Sequence, residues 1–361
     1  MSTTTKKYPG EAEEAHPEIF DIRAMPPQPA EKKPGQLPEN MVRQFFEEGY
    51  VVVESFFKPE ELEPSRAACE ELVDDLANML HKAGKIKNLY KEYGLFQRLT
   101  QIEKEFPGAT VLAIKLSGRL PQAYRDLWSN PRLLNVVEQL LGPDIMANPV
   151  WTLRPKVPQD ENTTVPWHQD AGYLDNRAYE VLQVVAWIPL LDANKENGCM
   201  EFAARGHLKG KVATHQCCWR DTWYIMLDEK EMEKSLDVDV KRDAKVIPVP
   251  YGGLVLFSNM IPHRSLPNVS NDIRWSLDLR FQRTGTDAGF NNLIEGIVMR
   301  TKENPNPTID WEPLLKNNRH LVGIKAVSPE ADDPFFDTTF QGPWMKKWEM
   351  VHTNRHTAKL T

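Results

Sequence analysis

His168 and Asp170 stand two residues apart in Val165-Pro166-Trp167-His168-Gln169-Asp170, and a further histidine, His263, follows far downstream in Ile261-Pro262-His263-Arg264-Ser265. In extended backbone, side chains at i and i+2 project to the same side, so His168 and Asp170 can chelate one ion without distortion. Two imidazoles and one carboxylate can occupy one face of an octahedral metal and leave the opposite face open. That donor set is typical of non-heme ferrous enzymes that activate O2. Alone, a His-x-Asp pair is weak evidence, because 9 histidines and 51 acidic residues produce such pairs by chance. Its weight comes from its company: a strand-rich segment, a histidine after a Gly-Gly turn and strand, and an arginine at a fixed offset.

That arginine is Arg274, which opens Arg274-Trp275-Ser276-Leu277-Asp278-Leu279-Arg280-Phe281. Polar and apolar residues alternate strictly, as in a half-buried strand. Such a strand can turn its polar side to water. It can also line a barrel with Arg274 pointing inward, where a guanidinium needs a carboxylate partner to offset burial. A dicarboxylate cosubstrate would supply that partner.

The elements that must position these groups follow from local pattern. Residues 1–38 hold seven prolines and few large apolar groups, so they read as a poorly ordered arm. A single domain over 39–361 is expected after it. Within that domain, 39–144 reads as helical, 145–284 as a β-rich core and 285–361 as an extension. A helix over 39–48 should end at Gly49, and Tyr50-Val51-Val52-Val53 should be a strand. Apolar spacing predicts a helix over 60–81. Asn130-Pro131 is a cap followed by a first-turn proline, and it opens another helix that Gly142 closes. Strands are expected at 147–154, 181–190, 199–204, 211–216, 245–250, 254–258 and 273–282. Many short strands with irregular gaps imply a sandwich or jelly roll. Trp344 and Trp348, at i and i+4, predict a helix whose aromatic face docks on the core.

Composition excludes several classes. The formal charge of −7, with no basic block, argues against nucleic acid as a partner. No apolar run approaches the roughly 20 residues of a membrane helix, so no membrane association is expected. Cys69, Cys199, Cys217 and Cys218 form no C-x-x-C motif, which points to an intracellular, cytoplasmic location, with Cys217-Cys218 as strand filler. Oligomeric state is not legible.

The segment 145–284 resembles the phytanoyl-CoA hydroxylase (phytanoyl-CoA dioxygenase) family of Fe(II)/2-oxoglutarate-dependent oxygenases. The matching pieces are Trp167-His168-Gln169-Asp170, Ala186-Trp187-Ile188-Pro189-Leu190, Asn197-Gly198-Cys199-Met200, Gly206-His207-Leu208-Lys209-Gly210, and His263-x-Ser265 with Arg274. The Gly49-Tyr50-Val51-Val52-Val53 entry also fits. The arm and the last stretch of chain are not explained by the common core.

The resemblance implies a mainly β fold with flanking helices around a double-stranded β-helix, the jelly-roll, cupin-like core. It implies that His168, Asp170 and His263 bind Fe(II), with 2-oxoglutarate and O2 as cosubstrates. Arg274 then binds the distal carboxylate of 2-oxoglutarate, Ser265 assists, and Trp187 lines the cosubstrate pocket. Thr152 and Lys115 fall near further cosubstrate contacts, and Ser276 shares the strand face of Arg274. The expected reaction hydroxylates an unactivated C–H bond of a small organic substrate and releases succinate and CO2. Because Asp170 retains the carboxylate that related halogenases lack, chlorination is not expected. Trp167 and Tyr173 are the candidate substrate contacts, with Trp219, Trp223 and Tyr224 as a possible aromatic wall. His207 and His215 are expected to be structural. The alternatives are a non-enzymatic jelly-roll binding protein, and a cupin-type metalloenzyme that does not use 2-oxoglutarate.

Overall fold

The β-branched and alternating runs assemble into a double-stranded β-helix with helices packed outside it. The computed structural model describes residues 25–328 and 336–360. The strands are β1 (Tyr50–Val53), β2 (Ile145–Ala147), β3 (Thr152–Lys156), β4 (Gln183–Pro189), β5 (Met200–Ala203), β6 (Gln216–Cys217), β7 (Ile225–Met226), β8 (Ala244–Ile247), β9 (Leu254–Ser258), β10 (His263–Ser265), β11 (Arg274–Arg283), β12 (Ile297–Arg300) and β13 (Glu349–Met350). The helices are α1 (Glu39–Glu48), α2 (Pro59–Lys82), α3 (Arg98–Glu105), α4 (Ala109–Ser117), α5 (Gln122–Trp128), α6 (Pro131–Leu141), α7 (Glu229–Leu236), α8 (Val240–Asp243), α9 (Glu312–Lys316) and α10 (Arg319–Val327).

The larger sheet runs β1-β9-β4-β11-β2-β12, with β3 also paired to β11, and a smaller one runs β10-β5-β8. The two-residue period sorts side chains between the faces. Val184, Ala186, Ile188, Leu254, Leu256, Trp275, Leu277, Leu279 and Phe281 join one apolar cluster with the helices. Val185, Trp187, Val255 and Phe257 turn the other way and meet Met200, Phe202 and Ile247 of the smaller sheet. The polar positions of β11 therefore face the interior between the sheets. They are buried up to Gln282, so the solvated-face reading of that strand does not apply.

Helix ends obey their sequence signals. Gly49 adopts φ 88° and its N–H bonds to Phe45 O, closing α1. The Asn130 side chain accepts from the N–H groups of Arg132 and Leu133, opening α6. Three expectations shift. The strand expected over 147–154 is two, β2 and β3, because Asn148 Oδ1 accepts from Val150 N–H at 2.8 Å and turns the chain at Asn148-Pro149. The run 211–216 contributes only its last residue to a strand. The Gln169 side chain holds the rest, donating to Lys211 O and accepting from Ala213 N–H. Trp344 and Trp348 lie on a short 3-10 turn and its exit, not an α-helix. Both indoles are buried and donate to the core, to Trp223 O at 3.0 Å and Gly172 O at 2.7 Å.

Of the arm expected over 1–38, residues 1–24 lie outside the described residues. Residues 25–38 are laid along α6, where Lys33 pairs with Glu138 at 2.7 Å and Leu37 N–H donates to Gln139 Oε1 at 2.7 Å. Cys217 and Cys218, expected as strand filler, are joined to each other as a disulfide. No helix among the described residues is long and apolar enough to cross a membrane.

A methyl group added at Gly49 would meet His207 Nδ1 at 2.7 Å and Ile261 Cδ1 at 2.8 Å, in a left-handed backbone besides. Gly49→Ala should therefore destabilise the chain by about 2 kcal/mol or more, read as a lowered urea midpoint at unchanged slope. An unchanged midpoint would contradict this packing.

Candidate metal centre

The backbone brings the three expected ligands together. His168 N–H donates to His263 O at 3.0 Å and His263 N–H to His168 O at 2.9 Å, an antiparallel bridge between distant segments. β10 in turn pairs with β5, with His263 opposite Phe202. Asp170 follows two residues after His168, and the imidazole Nε2 atoms of His168 and His263 lie 3.4 and 3.9 Å from its Oδ1. All three side chains are buried, and their donor atoms lie within 4.8 Å of one another.

The surrounding hydrogen bonds aim these donors. His168 Nδ1 lies 2.8 Å from Pro166 O, and His263 Nδ1 lies 3.0 Å from Ile261 O. A carbonyl only accepts, so each Nδ1 carries the proton and each Nε2 lone pair is left for a metal. Arg280 donates to Asp170 Oδ2 from Nη2 at 2.8 Å and from Nε at 3.3 Å. That clamps one carboxylate oxygen and leaves Oδ1 toward the imidazoles. Burial disfavours the charged form of Asp170, but Arg280 and the two histidines outweigh it and hold the carboxyl well below its usual range. Burial, with the adjacent His168, pulls His263 down to about 3. The site thus presents two imidazole Nε2 atoms and a carboxylate oxygen, a donor set that fits a ferrous ion.

One cavity joins His168 and His263 to Arg274, Trp187, Ser265 and Lys156. Arg274 is buried, with its guanidinium 5.0 Å over the Trp187 ring and Nη1 donating to Ser276 Oγ at 2.7 Å. Its Nε has no hydrogen-bond partner, and among the described residues no carboxylate lies within ion-pair distance. Burial pulls its pKa down to about 10 despite Asp278 nearby. Ser265 Oγ accepts from Lys156 Nζ at 2.9 Å and from Val165 N–H at 3.0 Å. Its hydroxyl therefore helps to position the buried Lys156 amine in the cavity that Arg274 lines, where burial, then Arg274 and Arg154, disfavour its charged form.

Other expected contacts fall elsewhere. Lys115 turns away from the metal and donates to Asp337 O, on the wall of a different hollow beside Arg119 and Asn318. Its neighbour Ile114 lines the cavity instead, as the residue after it on a helix must face another way. Thr152 lies in a second cavity, on the Asp170 side, where its Oγ1 accepts from Arg319 at 2.6 Å. Tyr173 lines that same cavity with its ring 5.6 Å from His168, edge to face. Trp167 and Trp219 line an outer groove, with Arg264 4.8 Å over the Trp167 ring. Trp223 and Tyr224 do line the second cavity. His215 accepts from Gln169 N–H and His207 bonds to Phe46 O, both apart from the metal cluster.

Several functional side chains escaped sequence reasoning. Arg280 and Asp278 share the inward face of β11 with Arg274, so the alternation already placed them there. Arg154 and Lys156 share the inward face of β3, and Arg154 pairs with Asp278 at 2.7 Å. Arg319 and His320 come from the extension, where no local pattern marks them.

The family described as phytanoyl-CoA dioxygenase (PhyH) matches residues 45–276. Over 181 residues the chain is 31% identical to 1-deoxypentalenic acid 11-beta-hydroxylase of Streptomyces arenae, covering 47% of this chain and 60% of that protein. The chain thus spans less than two thirds of that relative's length. It is 24% identical over 269 residues to phytanoyl-CoA dioxygenase domain-containing protein 1 of Danio rerio, covering 66% of this chain and 87% of that one. The solved apo structure of a non-heme monooxygenase, ThoJ, shares the fold with a TM-score of 0.51 at 18% identity, covering 75% of this chain and 87% of its own.

Two outcomes are expected. Arg280→Gln leaves Asp170 Oδ2 without its charged partner and should weaken Fe(II) binding by roughly 10- to 100-fold in a chelator competition, with Arg280→Lys intermediate. Equal affinity would contradict the clamp. The second concerns acid. Burial lowers His215, His263 and His356 to about 3 and holds His320 well below its usual value. These imidazoles are neutral in the fold and protonate on unfolding below about 6.5. The stability they contribute is complete above that pH and is lost as pH falls toward 3. Metal-free protein should lose roughly 1.4 kcal/mol per pH unit for each such histidine across that window, read by denaturant unfolding at several pH values. A flat profile between neutral pH and pH 5 would contradict it.

Proposed function

The chain belongs to the phytanoyl-CoA dioxygenase family, and from that premise we propose that it is an Fe(II)/2-oxoglutarate-dependent oxygenase that hydroxylates an unactivated C–H bond of a small organic substrate, with release of succinate and CO2. One observation carries the reading. His168 and His263 of the His168-Asp170-His263 cluster and a buried Arg274 guanidinium without a carboxylate partner open onto one cavity. A plain metal-binding barrel has no use for the second feature, because an unpaired buried cation is unfavourable.

When bound, the ferrous ion and 2-oxoglutarate together supply the activation of O2 and the oxidising power for C–H cleavage. The chain's own residues bind, orient and exclude water. His168, Asp170 and His263 hold the metal on one face. Arg274 donates to the distal carboxylate of 2-oxoglutarate, and Ser276 and the Trp187 ring fix the guanidinium for that contact. Lys156, held by Thr163, Thr164 and Ser265, lines the same cavity and keeps Ser265 in place. Tyr173, Trp223 and Tyr224 put apolar surface over the Asp170 side and shield it from water. Asp170 fills the position that a halide would need, so hydroxylation, or desaturation of the same C–H site, is the outcome and chlorination is not.

The relative from Streptomyces arenae is named for hydroxylating a carboxylic acid, which supports a small-molecule substrate here. Removing Arg274 is the direct test. Arg274→Ala should weaken 2-oxoglutarate binding by about 2–5 kcal/mol, at least 30-fold, with Fe(II) affinity unchanged, measured by anaerobic calorimetry on the metal-loaded protein. Unchanged 2-oxoglutarate affinity would favour a cupin-type metalloenzyme. Absence of any 2-oxoglutarate binding by the wild type would contradict the oxygenase reading.

A further inference from the structure

The cavity on the Asp170 side holds three guanidiniums, from Arg154, Arg280 and Arg319. Two are committed. Arg280 is spent on Asp170, and Arg154 on Asp278. Arg319 differs. Its Nη2 donates to Thr152 Oγ1 at 2.6 Å and lies 3.5 Å from His320 Nε2, and neither partner carries a negative charge. Among the described residues no carboxylate lies within ion-pair distance of it. Burial, then the Arg280 and Arg154 charges, pull its pKa well below the usual value, yet a guanidinium stays protonated at neutral pH. A partly buried cation without a carboxylate partner, facing an aromatic cavity, is free to meet an anion there.

His320 adds an independent sign. Its side chain is buried, and its Nδ1 has no hydrogen-bond partner. Nε2 faces a guanidinium, which can only donate, so Nε2 accepts and the ring proton sits on Nδ1. The ring is neutral, since burial and Arg319 hold its pKa well below the usual value. On one wall, therefore, a buried ring N–H without a hydrogen-bond partner accompanies a partly buried guanidinium without a carboxylate partner. The rest of that cavity is aromatic, with Tyr173, Trp223, Phe290, Phe340 and Trp344 among its lining residues.

We propose that this aromatic cavity is the substrate site and that Arg319, with His320 beside it, binds a carboxylate on the substrate, so that the substrate is a small, largely apolar carboxylic acid. The assignment rests on the oxygenase reading, because it takes the cavity facing Asp170 as the substrate's. One guanidinium with a neutral N–H donor suits a monoanion: the planar fork meets a carboxylate with paired hydrogen bonds. The aromatic walls bury the apolar body and leave the acid group to fix its orientation relative to the metal. Arg319 is thus a specificity-determining residue supplied by the C-terminal extension, outside the segment that matches the family.

The test uses the full chain, with Trp223 and Trp344 as intrinsic reporters. Decanoate and adamantane-1-carboxylate are titrated against tryptophan fluorescence, each beside its neutral primary amide. At least one carboxylate should bind the wild type tenfold or more tighter than its amide. Arg319→Gln should abolish that preference and Arg319→Lys should retain part of it, with the thermal midpoint of each variant recorded as a check on folding. Carboxylate and amide binding alike, neither probe binding, or a preference that survives Arg319→Gln would each overturn the proposal. 2-Oxoglutarate affinity, measured in the same variants, separates the two readings. It should be unchanged in Arg319→Gln. Its loss there would place Arg319 in the cosubstrate site and overturn the proposal while leaving the oxygenase reading intact. A carboxylate preference lost in Arg319→Gln, with 2-oxoglutarate binding indifferent to Arg274→Ala, would sink the oxygenase reading and keep the anion site.

Discussion

The ion pair between Arg280 and Asp170 sets the terms for everything else in the barrel. A carboxylate buried among aromatic rings would ordinarily take up a proton, and a protonated acid is a poor metal ligand. Arg280 prevents this by holding Oδ2 from two of its nitrogens. The same contact fixes which oxygen faces His168 and His263. Arg280 is itself anchored, with Nη1 donating to Val150 O at 2.8 Å, so the clamp is part of the sheet and not a mobile side chain.

That clamp is possible because β11 runs through the middle of the larger sheet with its charged residues turned inward. Its neighbours are β4 on one side and β3 and β2 on the other. A charged strand face between two sheets needs internal compensation. The protein provides it in part: Asp278 meets Arg154, and Asp170 meets Arg280. What remains without a carboxylate partner among the described residues is Arg274 in one cavity and Arg319 in the other. The two cavities meet at the His-Asp-His cluster, with His168 and His263 lining one and Asp170 the other.

The sequence made the core of this legible for identifiable reasons. His168 and Asp170 announced themselves by spacing, because a two-residue step on extended chain fixes a shared direction. Arg274 was visible through the strict alternation of its strand. The same alternation held Asp278 and Arg280, but pattern alone does not say whether a polar face meets water or a cavity, and their roles depend on Asp170 and Arg154 arriving from elsewhere. Gly49 and Asn130-Pro131 marked helix ends because their backbone demands are local. Lys115 and Thr152 show where such reasoning stops: one residue of register on α4 exchanges Lys115 for Ile114, and helical phase is set by tertiary packing. Arg319 and His320 left no trace in the sequence, since nothing local links the start of α10 to β3. The 3-10 turn carrying Trp344 likewise depends on contacts made far along the chain, with Trp223 and Gly172.

The claim at the centre is that three side chains from two segments close around one ferrous ion. Crystals grown anaerobically with Fe(II), and measured on both sides of the iron absorption edge, test it directly. The account predicts a single anomalous peak within bonding distance of His168 Nε2, Asp170 Oδ1 and His263 Nε2, with Arg280 still on Asp170 Oδ2. A peak that lacks any of the three, or an iron-soaked crystal with no peak between them, would contradict it.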